Sequence, residues 1–183
     1  CSAREASITA LTSQAGRRIV SEMLQAQKLE ELMVYVSRHA KVSDLGLTKL
    51  WKLLFYIDRE ALRSLGHTIT GSEYIKYEHG PVPSRGEKHL KKLCRDEADS
   101  CSQRDHGGYR LNEVTALRAP QTGALSRDEL LVAGAVCKEF GRKTAKELSA
   151  LSHKEPAWHY AEPLQKLSPT LMPYGSQEDS DGL

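Results

Sequence analysis

Asp58 is the residue whose type and position first suggest chemistry. It lies at the edge of the apolar stripe of residues 48–65, where a carboxylate loses hydration and needs a partner. That partner could be His79, His153, Lys76 or backbone N–H groups at the start of a later helix. With a histidine, Asp58 would form an acid–base pair, whereas a structural clasp would fix the turn after a short strand to the central helix. We expect the clasp, and the residues predicted to form it are Asp58, His153 and Trp158.

The sequence predicts no nucleophile beside this carboxylate. A hydrolytic triad needs Ser or Cys, His and an acid in mutual contact, and the spacing here indicates no such Ser or Cys. Glycine-rich phosphate loops, His-Glu-x-x-His and dinucleotide fingerprints are missing from the sequence as well. We therefore expect neither catalysis nor a cofactor. An enzyme built on Asp58 and a histidine is kept as an alternative.

A stiff turn follows a short predicted strand, because residues 79–83 read HGPVP. The prolines fix φ, and Gly80 permits an unusual backbone angle. N–H groups here could hold an anion, although the prolines supply none. The strand edge and its tyrosines could dock a partner, or the tyrosines could pack on the helix of residues 48–65. The candidate partner-binding residues are Tyr74, Tyr77, His79, Gly80, Pro81 and Pro83.

One basic stripe is present on the segment after this turn. Lys88, Lys92 and Arg95 are spaced at i, i+4 and i+7, and Lys91 is adjacent. Such a face could contact a nucleic-acid backbone. However, no aromatic residues are interleaved and no recognition helix is identifiable. We therefore interpret it as a solvated helix face, with nucleic-acid binding as the alternative.

The four cysteines are Cys1, Cys94, Cys101 and Cys137, and none belongs to a C-x-x-C pair. Their number is low for a disulfide framework. Cys94 and Cys101 could ligate a metal together with His106, but their spacing is wider than in the usual zinc knuckle. We expect free thiols in a reducing cytoplasm and no metal site.

The elements that must position these residues are mostly helical. Apolar residues recur at helical spacing in residues 25–40, and the broad stripe of residues 48–65, ended by Gly66, predicts the central helix of a core. Strands are expected at residues 73–77 and 109–111. Three capping boxes predict further helix starts: Ser84 with Glu87, Ser126 with Glu129, and Thr144 with Glu147.

Length and composition limit the class of protein. The chain has 183 residues, 39% hydrophobic and 27% charged, with a net charge of +2, which favours one ordinary domain and argues against nucleic acid on charge alone. No stretch approaches the roughly 20 apolar residues of a membrane span. The expected class is mainly α (α+β), with about five helices and a small β element inserted after the second helix. Residues 1–24 are predicted to be a disordered or weakly helical extension, residues 25–163 the domain, and residues 164–183 a largely disordered tail.

Four stretches in order carry a family resemblance: residues 47–58 (LTKLWKLLFYID), 69–74 (ITGSEY), 79–83 (HGPVP) and 144–153 (TAKELSALSH), the last followed by Trp158. They resemble the SocA-like antitoxin family, the Panacea domain, over about residues 25–161. The resemblance implies a small bacterial or phage-borne domain that acts as the antitoxin of a two-gene pair. Members bind many unrelated toxins, and one member delivers its toxin to a protease.

The expected function is therefore a cytoplasmic protein-interaction module that binds and neutralises a cognate toxin. Neutralisation would come from occluding the toxin or from delivering it to a protease. The alternative is a nucleic-acid-binding regulator of its own operon that uses the Lys88 to Arg95 face. We expect no membrane association.

Overall fold

The computed structural model describes residues 14–40, 45–96, 99–106 and 109–175. This part of the chain forms six α-helices and two β-hairpins, so the mainly α class with a minor β component is confirmed. In chain order the elements are α1 (Gln14–His39), α2 (Leu47–Leu65), β1 (Tyr74–Tyr77), β2 (Gly80–Pro83), α3 (Gly86–Arg95), β3 (Asp99–His106), β4 (Tyr109–Ala116), a 3₁₀ turn (Thr122–Ala124), α4 (Arg127–Phe140), α5 (Ala145–Lys154) and α6 (Pro156–His159).

Helix α2 lies at the centre of the core, as its broad apolar stripe predicts. Twelve of its nineteen residues are buried, and α1, α4, α5 and the first hairpin pack around it. It ends at Gly66, whose φ of 77° is the left-handed conformation expected of a C-cap. Because the helix is covered on most sides, Lys49 and Lys52 are buried with the apolar residues. Lys49 donates to the carbonyl of Gly141 at 2.7 Å, just beyond the end of α4.

Helix α1 begins eleven residues earlier than the periodicity predicts, at Gln14 instead of Gln25. Extending an existing helix needs no new nucleation, so the additional turns form although they bury little. Four apolar side chains in these turns are largely exposed: Ile19, Val20, Met23 and Leu24. The rest of the predicted N-terminal extension, residues 1–13, lies outside the described residues.

Two of the three predicted capping boxes are confirmed and one is wrong. Ser126 with Glu129 and Thr144 with Glu147 cap α4 and α5 reciprocally. Ser84 does not cap α3, since its N–H donates to the carbonyl of Glu73 at 2.8 Å and continues the ladder of the first hairpin. The helix therefore begins at Gly86, one residue later than this capping box predicts, and without a side-chain cap.

The polar segment after α3 contains a hairpin, β3–β4, where we predicted only a short strand at residues 109–111. Cys94 of α3 and Cys101 of β3 form a disulfide with a Cα–Cα distance of 6.0 Å. The prediction of free thiols is therefore wrong for this pair, and its sulfur atoms are bonded to each other. Cys137 is a free, buried thiol, whereas Cys1 lies outside the described residues.

Residues 164–167 lie against the first hairpin, within the stretch that we predicted to be a largely disordered tail. Residues 164–167 lie beside β1: Leu164 N–H donates to the carbonyl of Lys76 at 2.9 Å, and Leu167 N–H donates to that of Tyr74 at 2.8 Å. Leu167 and Met172 are buried. These contacts give β1 a hydrogen-bonded neighbour on both sides. Residues 176–183 lie outside the described part of the chain.

Candidate functional site in the first hairpin

Asp58 anchors the chain between α2 and β1. Its carboxylate, fully buried, accepts hydrogen bonds from the backbone N–H groups of Ile69 (2.8 Å) and Thr70 (2.9 Å), from the Thr70 hydroxyl, and from the Tyr74 hydroxyl (2.8 Å). None of the partners we predicted for Asp58 donates to it. The carboxylate instead clasps the loop that enters β1, before the turn and not after it.

Burial dominates the electrostatics of this clasp. It raises the pKa of Asp58 despite the four hydrogen bonds, and it raises the pKa of Tyr74 well above its ordinary value, with the Asp58 charge adding to the effect. Tyr74 is 1% exposed and packs edge-on against Phe55. The prediction that Tyr74 contacts a partner is therefore wrong, since its ring and hydroxyl are used inside the core.

The turn of the first hairpin is held by side chains at three successive carbonyls. Trp158 Nε1 donates to the carbonyl of Tyr77 at 3.3 Å, the His153 ring donates to that of Glu78, and Ser149 Oγ donates to that of His79 at 2.9 Å. The donors come from α5 and α6. We call residues 77–79, with their carbonyls held in this way, the clamped turn.

His153 and Trp158 form a stacked pair behind the clamped turn. Their ring centroids are 4.0 Å apart, and the ammonium of Lys76 lies 4.2 Å from the Trp158 ring centroid. Burial lowers the pKa of His153, and the charges of Lys52, His79 and Lys76 lower it further. His153 Nε2 is buried and makes no hydrogen bond within the described residues. These two residues therefore hold the turn of the hairpin and make no hydrogen bond to Asp58.

Neither edge of this hairpin can accept another strand. The outer edge of β1 is occupied by residues 164–167. Ile75 pairs with Val82 in the register of the hairpin. The backbone groups of Pro81 and Pro83 therefore point away from β1. Prolines have no N–H to donate, so this edge lacks donors. The predicted docking of a partner by strand addition is wrong here, and the prolines also exclude an amide cradle for an anion.

The candidate partner-binding residues differ in how far their side chains are exposed. Tyr77 is 47% exposed, and His79 is exposed. Gly80, Pro81 and Pro83 are buried, so they shape the hairpin and do not present side chains. Gly80 has a φ of 100°, and a Cβ there would overlap Ser152 Oγ and lie 2.6 Å from Lys52 Cε. Of the six candidates, only Tyr77 and His79 therefore present exposed side chains to a partner.

A groove with a volume of about 690 Å³ runs beside the clamped turn, between α2 and the hairpin. Glu78 and His79 line one end, and Glu87 of α3 lines it from another element. Its walls and floor include six further side chains: Trp51, Lys52, Ile75, Tyr77, Val82 and Pro83. Its size is within the range of small-molecule and peptide-anchor sites. Sequence analysis missed it because it is made by packing two distant elements together.

Lys52 is the functional candidate that sequence analysis did not find. Its side chain is 1% exposed, and Nζ donates to the carbonyl of Pro81 at 3.0 Å. Burial lowers the pKa of Lys52 from 10.5 to about 7. The sequence did indicate a buried lysine, because Lys52 lies within the broad apolar stripe of α2. A helix that is covered on most sides also buries the lysines within its stripe.

Stability is expected to rise with pH above neutrality because of Lys52. Between its folded pKa of about 7 and its ordinary value of 10.5, the unfolded chain binds the additional proton. The free energy of unfolding should therefore increase by up to about 1.4 kcal/mol per pH unit. Urea denaturation at pH 7, 8 and 9 measures this slope, and Lys52→Met should flatten it. Above pH 9 the buried Cys137 thiol, whose pKa is raised to about 12, acts in the opposite direction.

The same variant controls for the other charged groups around Lys52. Glu78 and His79 of the turn, His153 of α5 and Glu87 of α3 are all retained in Lys52→Met. His153 loses the Lys52 charge that helps to lower its pKa, but burial still holds that pKa below its ordinary value, which lies below the pH 7 to 9 range of the measurement. An equal slope in the two proteins would contradict the assignment to Lys52.

The basic stripe on α3 is largely neutralised by carboxylates. Lys92 pairs with Glu30 at 2.7 Å, Lys91 with Glu87 at 3.4 Å, and Arg95 with Asp96 at 3.6 Å. Lys88 is exposed on the same helix. A nucleic-acid interface relies on cations that are free to replace counterions along the phosphate backbone. This face therefore lends the nucleic-acid alternative little support.

One known protein family matches the part of the chain that contains the first hairpin. The family model described as Antitoxin SocA-like, Panacea domain, matches residues 50–159. That range is more than half of the chain, and it contains most of α2, the first hairpin and the clamping residues of α5 and α6. The chain belongs to the SocA-like antitoxin family. The Panacea domain match begins later than the resemblance suggested, because α1 lies outside it.

Other comparisons do not extend this identification. No curated protein matches the chain, and no solved structure matches it. Among the helices of the described ranges, none has the combination of length and apolar character needed to cross a bilayer. The Panacea domain match therefore supports an antitoxin role in general, and the fold and the hairpin provide the structural detail.

Proposed function

We propose that this Panacea domain binds a toxin protein and neutralises it without catalysis, by covering the toxin's active surface. The contact face is the clamped turn together with the adjoining groove. The toxin is the product of a neighbouring gene in a bacterial or phage-borne pair, and the two proteins meet in the cytoplasm. Family membership supports the antitoxin role, and the geometry of the turn supports this choice of face.

The observation that carries the choice of face is a fixed backbone with free side chains. Three successive carbonyls of the turn accept hydrogen bonds from Trp158, His153 and Ser149, while Tyr77 and His79 remain exposed. A backbone that is already ordered loses little entropy on binding. Exposed tyrosines are frequent energetic anchors of protein interfaces.

Co-expression with the product of the neighbouring gene tests the proposal. The wild-type chain should restore growth and bind the toxin, whereas Tyr77→Ala with His79→Ala should weaken binding at least tenfold and reduce rescue. The control is Tyr174→Ala, which removes a tyrosine that is 64% exposed elsewhere. If the wild-type chain neither rescues growth nor binds, the toxin-binding function is wrong. If the double variant matches the control, the contact face is wrong.

The amount of toxin in these cells separates occlusion from delivery to a protease. With occlusion the toxin persists at a constant level while growth recovers. With delivery it decays after synthesis is stopped, and the decay requires the antitoxin. A decay of this kind would replace occlusion as the mechanism and leave toxin binding in place.

A further inference from the structure

We propose that the groove between α2 and the first hairpin receives an acidic side chain of the partner protein, with Lys52 as the group that binds its carboxylate. The proposal rests on the proposed function for the identity of the partner. Its chemistry rests on Lys52 and on the residues around it.

The buried ammonium of Lys52 is incompletely hydrogen-bonded. An ammonium has three donors, and within the described residues only one is used, by the carbonyl of Pro81 at 3.0 Å. Lys52 is 1% exposed, and it is one of the residues that line the groove. A buried ammonium without a carboxylate is costly. An incoming carboxylate would accept from the unused donors and compensate the charge.

Lys52 contrasts with two other buried charges, Arg59 of α2 and Glu31 of α1. Arg59 is paired with Glu155 at 2.9 Å, and Glu31 is paired with Arg118 at 2.6 Å. The fold therefore supplies opposite charges to these neighbours from within the chain. For Lys52, the lowering of the pKa has burial as its cause, with no raising contribution from a carboxylate.

The lack of backbone N–H groups at Pro81 and Pro83 favours an acidic side chain over a chain terminus as the ligand. Terminal carboxylates are commonly captured by several backbone N–H groups, and the outward positions of β2 are Pro81 and Pro83, which have none. A single ammonium suits one side-chain carboxylate. Trp51 and Val82 in the same groove offer an apolar surface to the neighbouring residue of the partner.

The rim of the groove adds a charge pattern for the partner segment. Glu78 and Glu87 are exposed at the rim. A complementary segment therefore carries one acidic residue for Lys52 and basic or neutral residues next to it. This pattern is distinct from a uniformly acidic surface, which the two rim carboxylates would repel.

Short peptides test the chemistry without the toxin. The probe is acetyl-Leu-Glu-amide; the matched control is acetyl-Leu-Gln-amide, and acetyl-Leu-Leu with a free carboxylate represents a chain terminus. Binding is followed by the indole NMR signal of Trp51. We expect the Glu peptide to bind at least tenfold more tightly than both others. Equal binding of the Gln peptide, or no binding of the Glu peptide, would overturn the proposal, and preference for the free terminus would overturn the choice of source.

Proton uptake gives a readout that a structural lysine would not produce. Binding a carboxylate stabilises the charged form of Lys52, so at pH 8.5 the complex should take up about one proton from solution. Calorimetry of the wild-type chain with the Glu peptide in two buffers of different ionisation enthalpy measures this number. Uptake near zero would contradict the role of Lys52.

Measurements of toxin binding distinguish this proposal from the proposed function. Lys52→Met, checked for folding by circular dichroism, should weaken toxin binding at least tenfold, and equal affinity would overturn the role of Lys52. If the wild-type chain binds the Glu peptide with proton uptake but binds no toxin, the carboxylate site stands and the proposed function fails. If Lys52→Met does not fold, the peptide and proton measurements on the wild-type chain decide.

Discussion

Asp58→Ala is expected to unfold the protein at neutral pH. The change leaves four buried donors without an acceptor: two backbone N–H groups and the hydroxyls of Thr70 and Tyr74. Each such group costs about 1–3 kcal/mol, so the total of more than about 4 kcal/mol is a large part of an ordinary domain's stability. Urea denaturation followed by circular dichroism measures the loss.

A matched control for this change is Asp96→Ala. Asp96 is exposed, and the distance from its carboxylate to Arg95 is 3.6 Å, so the expected change is within about 0.5 kcal/mol. Tyr74→Phe removes one of the four donors along with its hydrogen bond and should give an intermediate loss of about 1 kcal/mol. A stability of Asp58→Ala within about 1 kcal/mol of the wild type would mean that the clasp does not hold the loop before β1.

Gly80→Ala is expected to cause the second large loss, above about 3 kcal/mol. The position combines a φ of 100° with a lack of space, since a Cβ would overlap Ser152 Oγ and lie 2.6 Å from Lys52 Cε. Accommodating the methyl group would move β2 away from α2 and α5 and disturb the clamped turn. Thermal and urea denaturation measure the effect.

Two other glycines separate backbone strain from steric overlap. Gly66 has a φ of 77°, and no atom lies within 4 Å of the position that an added methyl group would take, so Gly66→Ala should cost about 1 kcal/mol through strain alone. Gly123 has neither a positive φ nor a near neighbour, and Gly123→Ala should be close to neutral. If Gly80→Ala loses no more than Gly66→Ala, the close approach between β2 and Ser152 is not rigid.

The features that the sequence predicted correctly depend on local patterns. The breadth of the stripe in residues 48–65 predicted a central helix, and Gly66 ends it in the left-handed conformation. Ser126 with Glu129 and Thr144 with Glu147 cap their helices, because a capping box involves only residues three apart. Ser84 with Glu87 has the same pattern but failed, since a long-range hydrogen bond to Glu73 keeps Ser84 in the hairpin ladder.

The features that the sequence did not predict require distant segments to meet. The position of Asp58 indicated a buried carboxylate, but its donors lie in the loop at Ile69 and Thr70 instead of at a histidine. The disulfide between Cys94 and Cys101 joins α3 to β3, a strand that we did not predict. Lys52 lies in a wide apolar stripe, but its contact with the carbonyl of Pro81 requires the hairpin to pack on α2. The features that we did not predict therefore depend on contacts that local patterns do not specify.

The strand-like contact of residues 164–167 has a practical consequence for work with shortened versions of the chain. A fragment trimmed to the family boundaries, residues 50–159, would lose these residues and leave the outer amides of β1 facing water. The fragment would also lose the buried side chains of Leu167 and Met172, so it should be less stable than the full chain. Expression of the domain should therefore retain the chain at least to Met172, whose buried side chain closes the last folded turn.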